Sequence, residues 1–277
     1  MLIQRVFTAL ILLSAFLSTL FFASFTVFQW SMFIVFAIAA YEWSAMFAQA
    51  YQLSNKRVWA CTLLFSGLLA LGVYADVYRH PFYILFSACL WWVLATFLVI
   101  LYPRKAQFWK TKSLYHLMFG LLTVIPPFFA LLYLKASSTS ENPYLGELLI
   151  LAVILITASA DTFAYFSGKK FGKTKLIPHV SPNKTVEGCV GGLIATVVLF
   201  NLYWYQIDSN SVLGLLLVSV TVLFSILGDL AESMFKRHAQ IKDSGWILPG
   251  HGGVLDRVDS LTAALPIFTF ILIIFGK

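Results

Sequence analysis

The sequence predicts an all-α fold, a polytopic transmembrane helix bundle of about nine spans, and three observations carry that expectation. Of the 277 residues, 60% are hydrophobic and only 11% charged, where a soluble chain averages roughly 25% charged. That is more apolar surface than a water-soluble domain of this size can hide. The apolar residues fall in runs long enough to cross the hydrocarbon, which takes about 20 residues. The basic residues gather on one side of those runs.

The runs in chain order are 6–23, 27–47, 58–75, 81–101, 114–134, 146–166, 188–205, 211–232 and 258–276. The first resembles a signal peptide, but the apolar stretch from Val6 to Phe28 outlasts an h-region of about 7–15 residues. A retained first helix is therefore expected. Only the uncharged stretch around Ala23–Thr26 divides the first two runs, so eight spans is the competing count. Charge decides between them. With the N-terminus cytoplasmic, the inside segments hold sixteen of the nineteen Lys and Arg residues, leaving Arg79, Lys135 and Lys277 outside. Eight spans would spoil this positive-inside asymmetry.

The net charge of +7 has the same source. Its lysines and arginines lie between spans rather than along one face, which argues against a nucleic-acid partner. Cys61, Cys89 and Cys189 lie in apolar stretches without paired spacing, so neither disulfides nor zinc is expected. The basic segment Pro103–Lys112 with Trp109 is read as topology and interface anchoring, with attraction of anionic lipid as the alternative. Residues 1–140 are expected to form N-terminal scaffold helices. Residues 141–277 carry the remaining helices and two loops, 167–187 and 233–257, dense in Gly, Lys, Asp and Pro.

Carboxylates near membrane depth are costly and usually face a protein interior or a wet cavity. Glu42, Asp161, Asp229 and Asp256 all fall near the inside ends of different spans. Glu42 is read as an anchor of its own helix. Asp229, Glu232, Ser233 and Lys236 share i, i+3, i+4, i+7 spacing and hence one helical face. Gly228 beside them admits a close backbone or ligand. Asp229 and Asp256, at the facing ends of two antiparallel spans, would repel unless a cation lay between them, and hard oxygen donors favour Mg²⁺. A salt-bridge network with Lys236, Arg237 and Arg257 is the structural alternative. The stretch Pro249-Gly250-His251-Gly252-Gly253, flanked by Lys236, Lys242 and Arg257, suits an anion-binding nest. Ser181, Asn183, Lys184, Thr185 and Glu187 combine donors into a cradle for a nucleotide or phosphate.

Ser233, Lys236, Arg237, Lys242, Asp243, Pro249, His251, Gly252, Gly253, Asp256, Arg257 and Asp259 together resemble the signature of the phosphatidate cytidylyltransferases, the CDP-diacylglycerol synthases. The stretches Asp161–Tyr165 and Ser181–Gly188 are similar to that family as well. The resemblance covers roughly the C-terminal 120 residues; before about 140 it extends only to apolar spans. It implies a reaction of CTP with phosphatidate to give CDP-diacylglycerol and pyrophosphate, with Mg²⁺ and a second cation possible. It also implies a homodimer in a bacterial inner membrane or an equivalent one; the count of basic residues puts the site on the cytoplasmic side.

Read for that chemistry, Asp229 and Asp256 are the metal ligands, while Lys236, Arg237, Arg257 and Lys184 hold phosphate oxygens. Asp161 and Glu232 join the catalytic group, although Glu232, like Asp243 and Asp259, reads as an orienter of its neighbours. Ser233, Lys242, Gly252 and Gly253 complete the substrate-binding set. His251 is either a proton donor to pyrophosphate or a brace for its loop. The competing functions are nucleotide-dependent modification of another lipid, such as a polyprenol, and a cation-coupled transporter. Transporter charges line both halves of a pathway, however, and here they collect at one end.

Overall fold

A computed structural model of the chain describes residues 2–104, 106–204, 211–248 and 250–276. Lys105, Pro249, Lys277 and the last residue of the run 188–205 lie outside the described residues. The helices are α1 (Leu2–Phe22), α2 (Phe25–Ala50), α3 (Asn55–Tyr74), α4 (Phe82–Leu101), a short α5 (Gln107–Lys110), α6 (Ser113–Ala136), α7 (Leu145–Phe171), α8 (Val186–Trp204), α9 (Ser211–His238) and α10 (Leu255–Phe275). All but α5 coincide with expected spans. Among the described residues seven are long and apolar enough to cross a membrane, and α1 and α8 supply shorter apolar stretches, Val6–Phe22 and Val186–Leu202. The chain is an integral membrane protein.

The uncharged break between the first two spans has a local cause. Ser24 is extended and its hydroxyl accepts the Val27 N–H at 3.4 Å, capping α2. Elsewhere helices outrun the apolar runs. α7 continues to Phe171, and α9 continues to His238, carrying Asp229, Glu232, Ser233 and Lys236 on one unbroken helix. Asp256, expected just ahead of the last span, stands in the first turn of α10, where a carboxylate complements the helix dipole. The loop 167–187 also differs from expectation. It contains a small antiparallel hairpin, β1 (Lys175–Ile177) with β2 (Ser181–Thr185), pairing Lys175 with Thr185 and Ile177 with Ser181.

Two compact units arise, each discontinuous in sequence. One comprises residues 1–81, 108–150 and 235–258. Here α2 packs on α3 and α6. A Cβ at Gly120 would run into the Trp43 indole, so the glycine sets how closely α6 approaches α2. Trp43, Trp109, Phe119, His116 and Phe235 interlock in tilted and edge-to-face contacts. Trp109, read from the sequence as an interface anchor, is fully buried there. At the other end of α6, Lys135 donates to Glu147 Oε1 and to the Leu20 carbonyl, each at 2.5 Å, and Ser138 donates to Glu147 Oε2 at 2.7 Å. This buried cluster ties together the ends of α1, α6 and α7.

The second unit comprises residues 82–107, 151–234 and 259–277. Ile156 and Ala160 of α7 meet Val218 and Val222 of α9 in its core, with Leu193, Val197 and Phe200 of α8 packed against them. A Cβ at Gly228 would sit 2.6 Å from the Asp259 carbonyl oxygen, so the partner this glycine admits is backbone, that of α10.

Candidate active site

Lys184, at the end of the β1–β2 hairpin, reaches across to α9 and places Nζ 2.5 Å from Asp229 Oδ2. Ser233, one turn further along α9, donates to Asp229 Oδ1 at 3.3 Å. Burial alone would lower the lysine's pKa, but the carboxylates of Asp229 and Asp161 outweigh it and raise the value above its ordinary level. The ammonium therefore stays charged. Asp161, Tyr165, Lys169, Asn183, Lys184 and Thr185 line an open cavity of about 420 Å³. Its walls are α7, α8 and the hairpin, with Ile226 of α9. The hairpin is held in place locally: Thr185 Oγ1 accepts the Gly188 N–H at 3.1 Å as the α8 cap, and the Glu187 carboxylate accepts the Lys173 and Thr174 N–H groups at 3.0 Å.

A second lysine–aspartate pair forms where α9 ends and α10 begins. Lys236 Nζ lies 2.7 Å from Asp256 Oδ1, with the two side chains 11% and 5% exposed. The other carboxylate oxygen, Oδ2, accepts the backbone N–H groups of Ser244 at 2.8 Å and Gly253 at 2.9 Å. Gly252 just before it has φ +84°, and Gly250 has φ +76°, a left-handed backbone that glycine tolerates without strain. The His251 N–H donates to the Leu248 carbonyl at 2.9 Å. The anion expected in a nest here is thus partly supplied by the protein itself, since the Gly253 amide already holds Asp256.

Among the described residues, no three His, Cys, Asp or Glu side chains converge into a ready-made metal cage. Mg²⁺ usually takes one or two protein carboxylates and fills its shell from waters and substrate phosphates. Asp229 and Asp256 each already hold a cationic group, an ammonium, against a carboxylate oxygen. Hard oxygen donors of this kind fit Mg²⁺.

A cytidylyltransferase family model matches residues 3–275. The chain belongs to that family. A phosphatidate cytidylyltransferase of Haemophilus influenzae is 41% identical over 284 residues, spanning 98% of each chain. One from Pseudomonas aeruginosa is 40% identical over 98% of this chain and 97% of its own. One from Staphylococcus saprophyticus is 51% identical over 126 residues, 45% of this chain.

Within this family member, the residues singled out from the sequence divide into several settings. Asp161, Asn183, Lys184, Asp229 and Ser233 belong to the first cluster, and Lys236, Gly252, Gly253 and Asp256 to the second. Arg237, Lys242, Asp243 and Arg257 are exposed beside the second. Glu232 is buried on α9. Ser181 opens β2, and Asp259 accepts the Ser260 N–H at 2.7 Å within the first turns of α10. His251 is half-buried, its Nδ1 without a hydrogen-bond partner among the described residues. Two residues escaped the sequence reading. Ser244 carried no motif. Glu42 was expected to anchor α2, its own helix; its carboxylate instead binds residues 244, 254 and 255. The available signal was that Glu42 is the sole acid of α2 and has no basic residue near it in sequence.

Proposed function

We propose that the protein transfers the cytidylyl group of CTP to phosphatidate, yielding CDP-diacylglycerol and pyrophosphate, at a Mg²⁺-dependent site served by Asp229 and Asp256. The observation that carries this reading is a pair of lysine-bound aspartates at the loop-side ends of apolar helices, in a family member whose near-full-length relatives are named for that substrate. The phosphate monoester oxygen of phosphatidate is already anionic at neutral pH, so it needs no Ser–His activation. It attacks the α-phosphorus of CTP; the bond from that phosphorus to the bridging oxygen breaks, and the electron pair leaves with pyrophosphate. The obstacle is bringing one polyanion against another, which is met by positioning and positive charge. Lys184 and Lys236, with the exposed guanidinium groups of Arg237 and Arg257, hold phosphate oxygens. Asp229 and Asp256 would each offer carboxylate oxygens to Mg²⁺, which would supply charge neutralisation on the phosphates.

Phosphatidate keeps its acyl chains in the bilayer while CTP arrives from water, and helix ends lined with Asp and Lys suit that meeting. The positive-inside distribution supports a cytoplasm-facing site in a bacterial inner membrane, and the family resemblance supports a homodimer. The deciding experiment supplies the purified protein with labelled CTP and either phosphatidate or a polyprenol, removing and restoring Mg²⁺. CDP-lipid and pyrophosphate formed only with phosphatidate and Mg²⁺ is the expected result. CDP plus a phosphorylated polyprenol would overturn the reading.

A further inference from the structure

We propose that Glu42 is a positioning residue for the cytidylyl-transfer site, acting through the segment that aims Asp256; the inference rests on the reaction proposed above. Glu42 is 1% exposed, near the end of a helix otherwise free of acids. Among the described residues it has no ion-pair partner. Its Oε1 accepts the Val254 N–H at 3.0 Å, and its Oε2 accepts the Leu255 N–H at 2.7 Å and the Ser244 hydroxyl at 3.2 Å. A buried carboxylate without a cation is a costly way to fill space, and an apolar side chain would do so more cheaply. What the carboxylate adds is direction. It satisfies N–H groups at the start of α10 that have no partner within that helix.

Those bonds lead into Asp256. Ser244 bridges the two carboxylates: its hydroxyl donates to Glu42, its N–H donates to Asp256 Oδ2, and its oxygen accepts the Asp256 N–H at 3.3 Å. Gly253 adds the second N–H on Oδ2. With Oδ2 committed to the backbone, Oδ1 is the oxygen turned toward Lys236. Glu42 therefore fixes the two residues that lead into Asp256 and the serine that binds it, and through them which carboxylate oxygen the reaction meets. There is little room to spare, since a Cβ at Gly253 would stand 2.6 Å from Glu42 Oε2.

The test compares Glu42→Gln, Glu42→Asp and Ser244→Ala with the wild type, measuring kcat and KM for both substrates. Hydrogen exchange of the 243–256 backbone serves as a readout independent of turnover. Wild-type turnover of CTP and phosphatidate settles the reaction itself, so only the variant ratios bear on Glu42. Glu42→Gln presents an amide N–H to backbone N–H groups. It should lower kcat about 10–100-fold, the usual cost of losing a residue that orients a metal ligand, with both KM values within about 2-fold. Exchange at 254 and 255 should quicken. Glu42→Asp keeps the charge and should recover part of kcat. Ser244→Ala, which removes a single hydroxyl, should move both readouts the same way by less. Wild-type kcat in Glu42→Gln, a change confined to KM, or a kcat loss with unchanged exchange in 243–256 would overturn the assignment.

Discussion

Replacing Asp256 with asparagine separates what the Lys236–Asp256 pair contributes to stability from what it contributes to turnover. The carboxylate accepts three N–H donors, two on Oδ2 and the Lys236 ammonium on Oδ1. An asparagine offers one carbonyl oxygen and one NH₂ group. Either rotamer therefore points a donor at a donor and leaves Lys236 without its counter-charge. Both side chains are nearly buried, 11% and 5% exposed, and breaking such a pair from one side costs about 3–5 kcal/mol. The lower end is appropriate because Lys236 lies beside the loop and can recover some water. About 3 kcal/mol expressed in the transition state is roughly a 10²-fold loss of kcat. Asp256→Asn should show at least that loss in CDP-lipid formation, together with a lower unfolding midpoint in mixed detergent. The double variant Asp256→Asn/Lys236→Met should regain most of the stability and none of the turnover. A single variant that keeps kcat within about threefold, or a double variant no more stable than the single, would refute the reasoning.

Lys184→Ala should raise KM for CTP or phosphatidate with a smaller effect on kcat; unchanged KM for both would count against its role. The raised pKa of Lys184 means that its pairing with Asp229 is complete at neutral pH and fades only as pH climbs past the ordinary lysine value of 10.5. Lys184 should therefore give no limb to the pH profile between 6 and 9, and a limb in that range abolished by Lys184→Ala would contradict the pairing. Lys135→Met should destabilise the fold by about 3–5 kcal/mol, because it strands the buried Glu147, while Lys135→Met/Glu147→Leu should cost far less; unfolding in mixed detergent reads both. Gly228→Val should lower both stability and turnover, since its side chain would meet the Asp259 carbonyl. An unchanged unfolding midpoint would show that α9 and α10 do not need that approach.

The long helices were legible because lipid enforces a local rule: each span must be apolar over its own length and satisfy its own backbone. Even the break at Ala23–Thr26 could be read, since Ser24 caps within three residues. Asp229 and Lys184 were identified as chemical groups, but their 2.5 Å contact depends on a hairpin whose Lys-Leu-Ile and Ser-Pro-Asn-Lys-Thr strands show no alternation of apolar and polar residues. Gly228 was read correctly as a point of close approach, yet nothing in the chain said that the neighbour was Asp259. The least legible contact was that of Glu42, whose partners are 202 to 213 residues away. No periodicity encodes such a pairing. Its one trace was a lone acid where hydrocarbon would be cheaper.

The reach of Glu42 bears on how small this enzyme can be. Every motif residue lies after position 160, which suggests that a fragment starting near 141 would be a minimal catalyst. Such a fragment would lack the carboxylate that closes the start of α10, and its Val254 and Leu255 amides would turn to water. The motif-bearing half of the sequence leaves the start of α10 mechanically unfinished, and a fragment cut there should be less active than one to which α2 is returned.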